Sequence, residues 1–364
     1  MSETCFICAT PYQIIAAISI AHVYKKNADM YIITDFSQAE EYAKRVRDLN
    51  LFSKVDLINT QRFEPYRQSK SKLVYGFGFF FNYLRVNKIV KSIAGDADYK
   101  EIFISTHHNI GKFLCIYYLK RGAEVIYYDD GEGSYYIPNV YEAYGLEKAV
   151  RTVMFGKQTV GLSRNRMLYS PELFRKVFGN SYNVSAIPNW SKDKTLLKMI
   201  NHVCGYSDKA KINQKYILLD TIPSVEFDSK GLSIYEELID FCINCIGSDL
   251  LIKRHPRDKR EPKYSCEYYK FSDIPFEVIC ANSEMENKVL ICNSSTAAFT
   301  PKMLFDLEPT ILLLHDLTGG LVKDLKRSQF ENCIRDLYRN KARFIVPETK
   351  DEMPGILEAI KSEN

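Results

Sequence analysis

Thr4-Cys5-Phe6-Ile7-Cys8-Ala9-Thr10-Pro11-Tyr12-Gln13 runs a short apolar segment directly into a helix start. Residues 4–9 are almost continuously apolar, the pattern of a strand buried on both faces. Thr10 offers a capping hydroxyl, and Pro11 brings a φ already set for the first helical position. Ile14, Ile15, Ile18, Ala21 and Val23 then carry an apolar stripe to about Lys25. A buried strand feeding straight into a helix is half of a parallel crossover, so one such segment predicts others.

The pattern does recur outward from this segment. Strands are expected at residues 30–34, 54–58, 101–105 and 124–129, with helices over 38–49, 79–93 and 110–120. Between 150 and 214 the alternation lapses into a stretch with Pro171, Pro188 and the single Trp190, read as the end of one domain and a connection. It resumes with strands at 216–220, 249–253, 276–279, 289–292, 310–314 and 343–346, and helices over 233–246 and 296–305. The 364 residues therefore divide into two α/β domains, 1–190 and 191–364, each near the usual ~100–200 residues. Two tandem Rossmann-like, doubly wound domains facing a central cleft match the GT-B architecture.

Composition narrows the class. Hydrophobic residues make up 46% and charged residues 26%, enough apolar material for two cores and the wrong balance for disorder. The 49 basic and 45 acidic residues leave a formal charge of +4, too even to point to a nucleic-acid partner. Within that even balance Lys253, Arg254, Arg257, Lys259 and Arg260 gather into one basic run, either a solvated loop or a local anion site. Cys5 with Cys8 and Cys242 with Cys245 have Cys-x-x-Cys spacing. The first pair would face opposite sides of a strand and the second lies in a helix without a turn, so all ten cysteines are read as reduced thiols and no metal is expected. The start of the chain lacks the basic and apolar regions of a signal peptide, and no run reaches the ~20 apolar residues of a membrane span. A cytoplasmic location is the expectation. The Phe- and Tyr-rich residues 74–84, flanked by Lys70, Lys72, Arg85 and Lys88, leave open a peripheral contact at the inner face of the cell membrane. A homodimer also stays open.

Ligands in parallel α/β sheets bind beyond the carboxyl ends of the strands. Four motifs fall there. Thr10, Pro11 and Gln13 follow the first strand; Asp129-Asp130-Gly131, with Glu132, Gly133, Ser134 and Tyr135, follows the strand ending near Tyr128. His255-Pro256 follows residues 249–253, and Asn293-Ser294-Ser295-Thr296 follows 289–292. Each has a plain reading by itself: an acidic turn, a basic loop, a helix cap. Together they form a consistent set. The acidic pair suits a base, since adjacent like charges raise proton affinity. The histidine and the hydroxyl-rich helix start suit a phosphate. Ser105-Thr106-His107-His108-Asn109 lies at another strand end, where His107 is a candidate acceptor contact.

The order of these motifs carries a resemblance. Bacterial sialyltransferases share an acidic pair followed by Gly, then a His-Pro, then a Ser-Ser or Ser-Thr pair. With Asp129-Asp130-Gly131, His255-Pro256, Ser294-Ser295-Thr296 and the early Thr10-Pro11-Tyr12-Gln13, the chain resembles glycosyltransferase family 52 from about Cys5 to Phe305. That family includes lipooligosaccharide and streptococcal capsule sialyltransferases. The resemblance implies a metal-independent, inverting transfer of sialic acid from CMP-sialic acid to a terminal galactose hydroxyl of a bacterial surface glycan, with an α-2,3 linkage expected and no cofactor. By motif position, Asp130 is similar to the general base and Asp129 to its support. His255, with Pro256 and Lys253 beside it, is similar to the residue that assists departure of the CMP phosphate. Ser294, Ser295 and Thr296 are similar to the phosphate ligands, and Glu277 in Pro275-Phe276-Glu277 to a ribose ligand. Thr10, Gln13, Gly131 and His107 are left to the sialic acid or acceptor. The alternatives on the same fold are a transferase using UDP-hexose and a sugar-nucleotide epimerase or hydrolase.

Overall fold

The computed structural model describes residues 2–64, 71–105, 108–136, 145–159, 164–222, 226–256, 258, 260–319 and 325–362. The chain forms two compact units, Met1–Cys204 and Gly205–Asn364. The division falls after residues 191–204, which were expected in the second domain. Helix Lys194–Cys204 packs instead on helices Pro11–Val23 and Ala39–Asp48 of the first unit, and Arg45 donates to the Val203 carbonyl at 3.3 Å.

The first unit holds a seven-stranded parallel sheet. Its strands are β1 (Thr4–Cys8), β2 (Ala28–Ile33), β3 (Lys54–Ile58), β4 (Glu101–Ile104), β5 (Glu124–Tyr128), β6 (Asn165–Leu168) and β7 (Asn183–Ala186), in the spatial order β3-β2-β1-β4-β5-β6-β7. Every residue of β1 is buried. Cys5 and Ile7 join a core with Ile89, Val90 and Phe113, while Phe6 on the other face stacks on Phe103 at 4.5 Å. Both faces are thus covered, as the unbroken apolar run required. Helix α1 (Pro11–Val23) is capped by Thr10, whose hydroxyl accepts from Gln13 N. It is buried without interruption from Gln13 to Ala21, because helix Lys194–Cys204 covers its outer side.

The second unit repeats the design with six strands. β8 (Tyr216–Leu219), β9 (Leu250–Lys253), β10 (Glu267–Tyr268), β11 (Val289–Cys292), β12 (Thr310–Leu313) and β13 (Phe344–Ile345) lie in the order β10-β9-β8-β11-β12-β13, again all parallel. Helix Ser229–Ile246, capped by the Asp228 carboxylate, covers one face with Tyr235, Leu238, Ile239 and Cys242.

Several expected elements differ from those found. Residues 276–279 are helical within Phe276–Asn282, not a strand. Residues 296–305 open as a 3-10 turn, Thr296–Phe299, before helix Thr300–Phe305. The stretch 150–214 contains β6, β7 and two helices over Pro171–Phe178 and Lys194–Cys204. Seven of the ten cysteines are buried. Among the described residues, no three His, Cys, Asp or Glu side chains converge as a metal site would require, and no helix is long and apolar enough to cross a membrane.

Candidate active site

Strand order in the first sheet reverses between β1 and β4. The chain winds outward from there to β3 on one side and β7 on the other. Crossovers that part at such a switch point leave a crevice beyond the carboxyl ends. Gln13 enters it from the first turn of α1, Ser105 from the end of β4, and Asp129 and Asp130 from the end of β5.

Gln13 is 1% exposed. Its Oε1 accepts from Ala9 N at 2.5 Å, and its Nε2 donates to the Ser105 carbonyl at 3.0 Å and to Asp130 Oδ1 at 2.6 Å. An amide with an N–H on one side and two acceptors on the other has one orientation only. Gln13 therefore aims a fixed donor at Asp130.

The two aspartates have different surroundings. Asp129 is fully buried and accepts from Gly131 N at 2.9 Å, Tyr169 N at 3.0 Å and the Tyr135 hydroxyl. Tyr135 in turn accepts from Ser170 N at 3.1 Å. Asp129 thereby ties its own loop to the exit of β6. Gly131 has φ +91°, a conformation other residues rarely adopt, and it turns the chain back so that Ser134 can accept from Asp130 N at 2.8 Å. With its backbone held this way, the half-buried Asp130 presents its carboxylate toward Gln13.

Burial raises both carboxyls. Asp130 is pushed up to about 7, with the Gln13 hydrogen bond opposing the shift and the Asp129 charge adding to it. Asp129 is pushed up to about 6, burial again outweighing its hydrogen bonds from Tyr135, Tyr169 and Gly131. At neutral pH Asp130 is poised between its acid and base forms, with a donor beside it.

The second sheet reverses between β8 and β11. Thr221 and Glu226 follow β8, and Asn293 and Ser294 follow β11. Glu226 accepts from Asn293 Nδ2 at 3.0 Å, from the Ser294 hydroxyl at 2.7 Å and from the Thr221 hydroxyl. The Ser294 hydroxyl expected to meet a phosphate is thus engaged by a carboxylate of the same chain. Arg327, from helix Leu325–Leu337, donates to the Ser294 carbonyl and pairs with Glu331 at 3.2 Å. His315, just past β12, sits between Asp316 at 2.9 Å and Glu331 at 3.1 Å. Its pKa is raised, because those two carboxylates outweigh the effect of burial.

Arg254 and Arg260 both pair with Asp258, at 3.3 and 2.8 Å, and Asp258 is held down at about 2, chiefly by its hydrogen bond from Arg260. Lys253 closes β9. It is buried with Nζ 5.9 Å from the ring centres of Tyr269 and Phe276, and burial lowers its pKa against the opposing charge of Glu277. Lys253 and Glu277 are therefore close enough to interact through their charges. His255 is half-buried, Pro256 and Thr296 are exposed, and Ser295 makes no side-chain cap. His107, Arg257 and Lys259 lie outside the described residues.

Thr10, Gln13, Asp129, Asp130 and Gly131 come together as one cluster. Ser105, Ser134, Tyr135 and Tyr169 complete it; Ser105 stood in the quoted stretch 105–109 and Ser134 and Tyr135 in the acidic loop, while Tyr169 was not singled out. Thr221 and Glu226 lie just beyond β8, where the strand-end rule applied to that strand would have found them. Arg327 had no signal, because a helix from farther along the chain brings it in.

No family model and no curated protein matches the chain in sequence. Solved structures do match its fold. The glycotransferase of kitacinnamycin superposes with a TM-score of 0.50 at 8% identity, over 100% of this chain and 94% of that one. LpCGTa in complex with UDP gives 0.50 at 8% identity, over 99% and 90%. A putative UDP-N-acetylglucosamine 2-epimerase from Listeria monocytogenes reaches 0.47 at 9%, over 94% and 89%. The chain has the GT-B fold, two Rossmann-like parallel-sheet domains.

Proposed function

We propose that the protein is a glycosyltransferase that uses a nucleotide sugar and inverts the transferred centre, with Asp130 as its general base. The observation that carries this reading is the 2.6 Å bond from the rigid Gln13 amide to a carboxyl raised to about 7, at the switch point of the first sheet. In the reaction Asp130 takes the proton of an acceptor hydroxyl. That oxygen forms the new bond to the sugar's anomeric carbon as the bond from this carbon to the donor phosphate breaks. The electron pair leaves with the phosphate and the proton stays on Asp130. Asp129 is the positioning residue that holds the loop. The second unit supplies the donor ligands at the ends of β8, β9 and β11, with Ser294 and His255 to the phosphate. Stabilising the leaving charge with such groups needs no metal.

For the donor, CMP-sialic acid is favoured by the ordered motifs Asp129-Asp130-Gly131, His255-Pro256 and Ser294-Ser295, with a galactose-terminated glycan as acceptor. UDP-hexose is the second reading, supported by the likeness to LpCGTa bound to UDP. The test is to supply each donor with lactose-type acceptors and measure the nucleotide released and the product formed. CMP release with a sialylated product supports the first reading, and UDP release alone replaces it with the second. Turnover of either donor at full rate without acceptor rules out a transferase.

A further inference from the structure

One surface feature has no part in this chemistry. Helix Lys72–Leu84 carries Phe77, Phe80, Phe81 and Leu84, which are 68%, 44%, 61% and 57% exposed. At about 100° per residue these four positions fall on one face of the helix, within roughly a quarter turn or a little more. The opposite face fixes that orientation. Asn82 is buried and donates to the Phe63 carbonyl at 2.7 Å. Tyr83 is buried too, with its ring 5.4 Å from Phe113 and its hydroxyl donating to Glu147 at 2.8 Å. The aromatic stripe therefore cannot rotate inward without breaking both anchors.

Beside the stripe lies a groove of ≈ 370 Å³, bordered by Phe81 and by the exposed cations Arg62, Arg85 and Lys88. Among the described residues, no acidic side chain lines it. Glu64, the carboxylate nearest to Arg62 in sequence, is buried and accepts from Ile110 N at 2.6 Å. Four large apolar side chains in water, next to cations of a single sign, form a surface with a specific complement.

We propose that this face of helix Lys72–Leu84 docks on an anionic lipid bilayer, with Phe77, Phe80, Phe81 and Leu84 entering the headgroup boundary and Arg62, Arg85 and Lys88 meeting lipid phosphates. A second copy of the chain is a poorer fit. A two-fold contact through this face would set its cations against their own copies, with no carboxylate in the groove to offset them. The proposal is independent of the donor and of the reaction.

The test is flotation of the full chain with vesicles of phosphatidylcholine alone and with about one quarter phosphatidylglycerol. The chain should float with the anionic vesicles, and the bound fraction should fall several-fold as salt rises from about 0.1 to 0.5 M. Phe77→Ser combined with Phe81→Ser lowers partitioning at least ~10-fold through lost apolar burial. Arg85→Glu combined with Lys88→Glu lowers it ~10-fold through charge. Both pairs leave the far-UV circular dichroism and the melting temperature unchanged, since all four side chains are exposed. Equal binding to neutral and anionic vesicles, no binding, or undiminished binding by either pair overturns the proposal. So does a dimer in sedimentation velocity that Phe81→Ser dissociates while vesicles capture nothing.

Discussion

The carboxyl edges of the two sheets are built on the same topology and charged in different ways. In the first, Asp129 and Asp130 sit together in a crevice whose nearest partners are amides and hydroxyls, so burial lifts both and the Asp129 charge adds to the rise of Asp130. In the second, described carboxylates already hold the charges: Arg254 and Arg260 on Asp258, Arg327 and His315 on Glu331, and Glu226 on Ser294. The first edge stores an unmet demand for a proton. In the second most charges are already paired, although burial raises the Asp220 carboxyl past β8 as well, and an incoming phosphate must compete with the chain's own carboxylates. One edge is suited to proton transfer and the other to exchange of anions.

The sharpest break of this contrast is Asp130→Asn. It is expected to lower kcat/KM about 10²- to 10⁴-fold while nucleotide binding, measured by calorimetry, stays intact. Next comes Asp129→Ala, which strands the Gly131 and Tyr169 N–H groups and the Tyr135 hydroxyl. A loss of about 3 kcal/mol in urea unfolding is expected, well above the effect of Asp130→Asn.

The raised carboxyls also set a sign for stability against pH. Their folded pKa values lie above the unfolded one, so their contribution is full below about pH 4 and is lost as pH climbs through about 6 to 7. Asp130→Asn should therefore be little different from the parent at about pH 4 and more stable at pH 8, by ~2 kcal/mol after allowance for solvent screening. Thermal melts at the two pH values check it, and a parallel offset at both would remove the contrast. A smaller effect is expected from Gln13→Leu. It deletes the bond that holds Asp130 down, so the rising limb of the pH–rate profile moves upward, with about a several-fold loss at neutral pH. Smallest is Glu226→Gln, which removes the competing negative charge from Ser294. Nucleotide should bind roughly five-fold tighter; weaker binding would mean that Glu226 itself contacts the donor.

The sequence was most legible where burial was complete and local signals agreed. β1 and α1 could be read because an unbroken apolar run meets a Thr-Pro start. β6 could not, because Asn165-Arg166-Met167-Leu168 places an arginine in mid-strand. Arg166 is buried with its guanidinium 4.7 Å from the Tyr127 ring, 5.2 Å from Phe174 and 4.8 Å from Tyr182, three rings contributed from separate segments. Residues 276–279 read as a strand because four residues are too few to separate the two periods. At the site, Asp129, Asp130 and Gln13 could be named from strand ends. The setting of Lys253 could not, because the rings of Tyr269 and Phe276 that surround its ammonium come from other segments.

What the sequence alone determined is the succession of buried parallel strands and the presence of acidic, basic and hydroxyl groups where those strands end. These follow from apolar runs, caps and glycine turns, which act over a few residues. Only the tertiary structure decided which of those groups meet. Gln13 reaches Asp130 across 117 positions and Arg327 reaches Ser294 across 33, because strand order, not sequence separation, sets the neighbours at a sheet's edge.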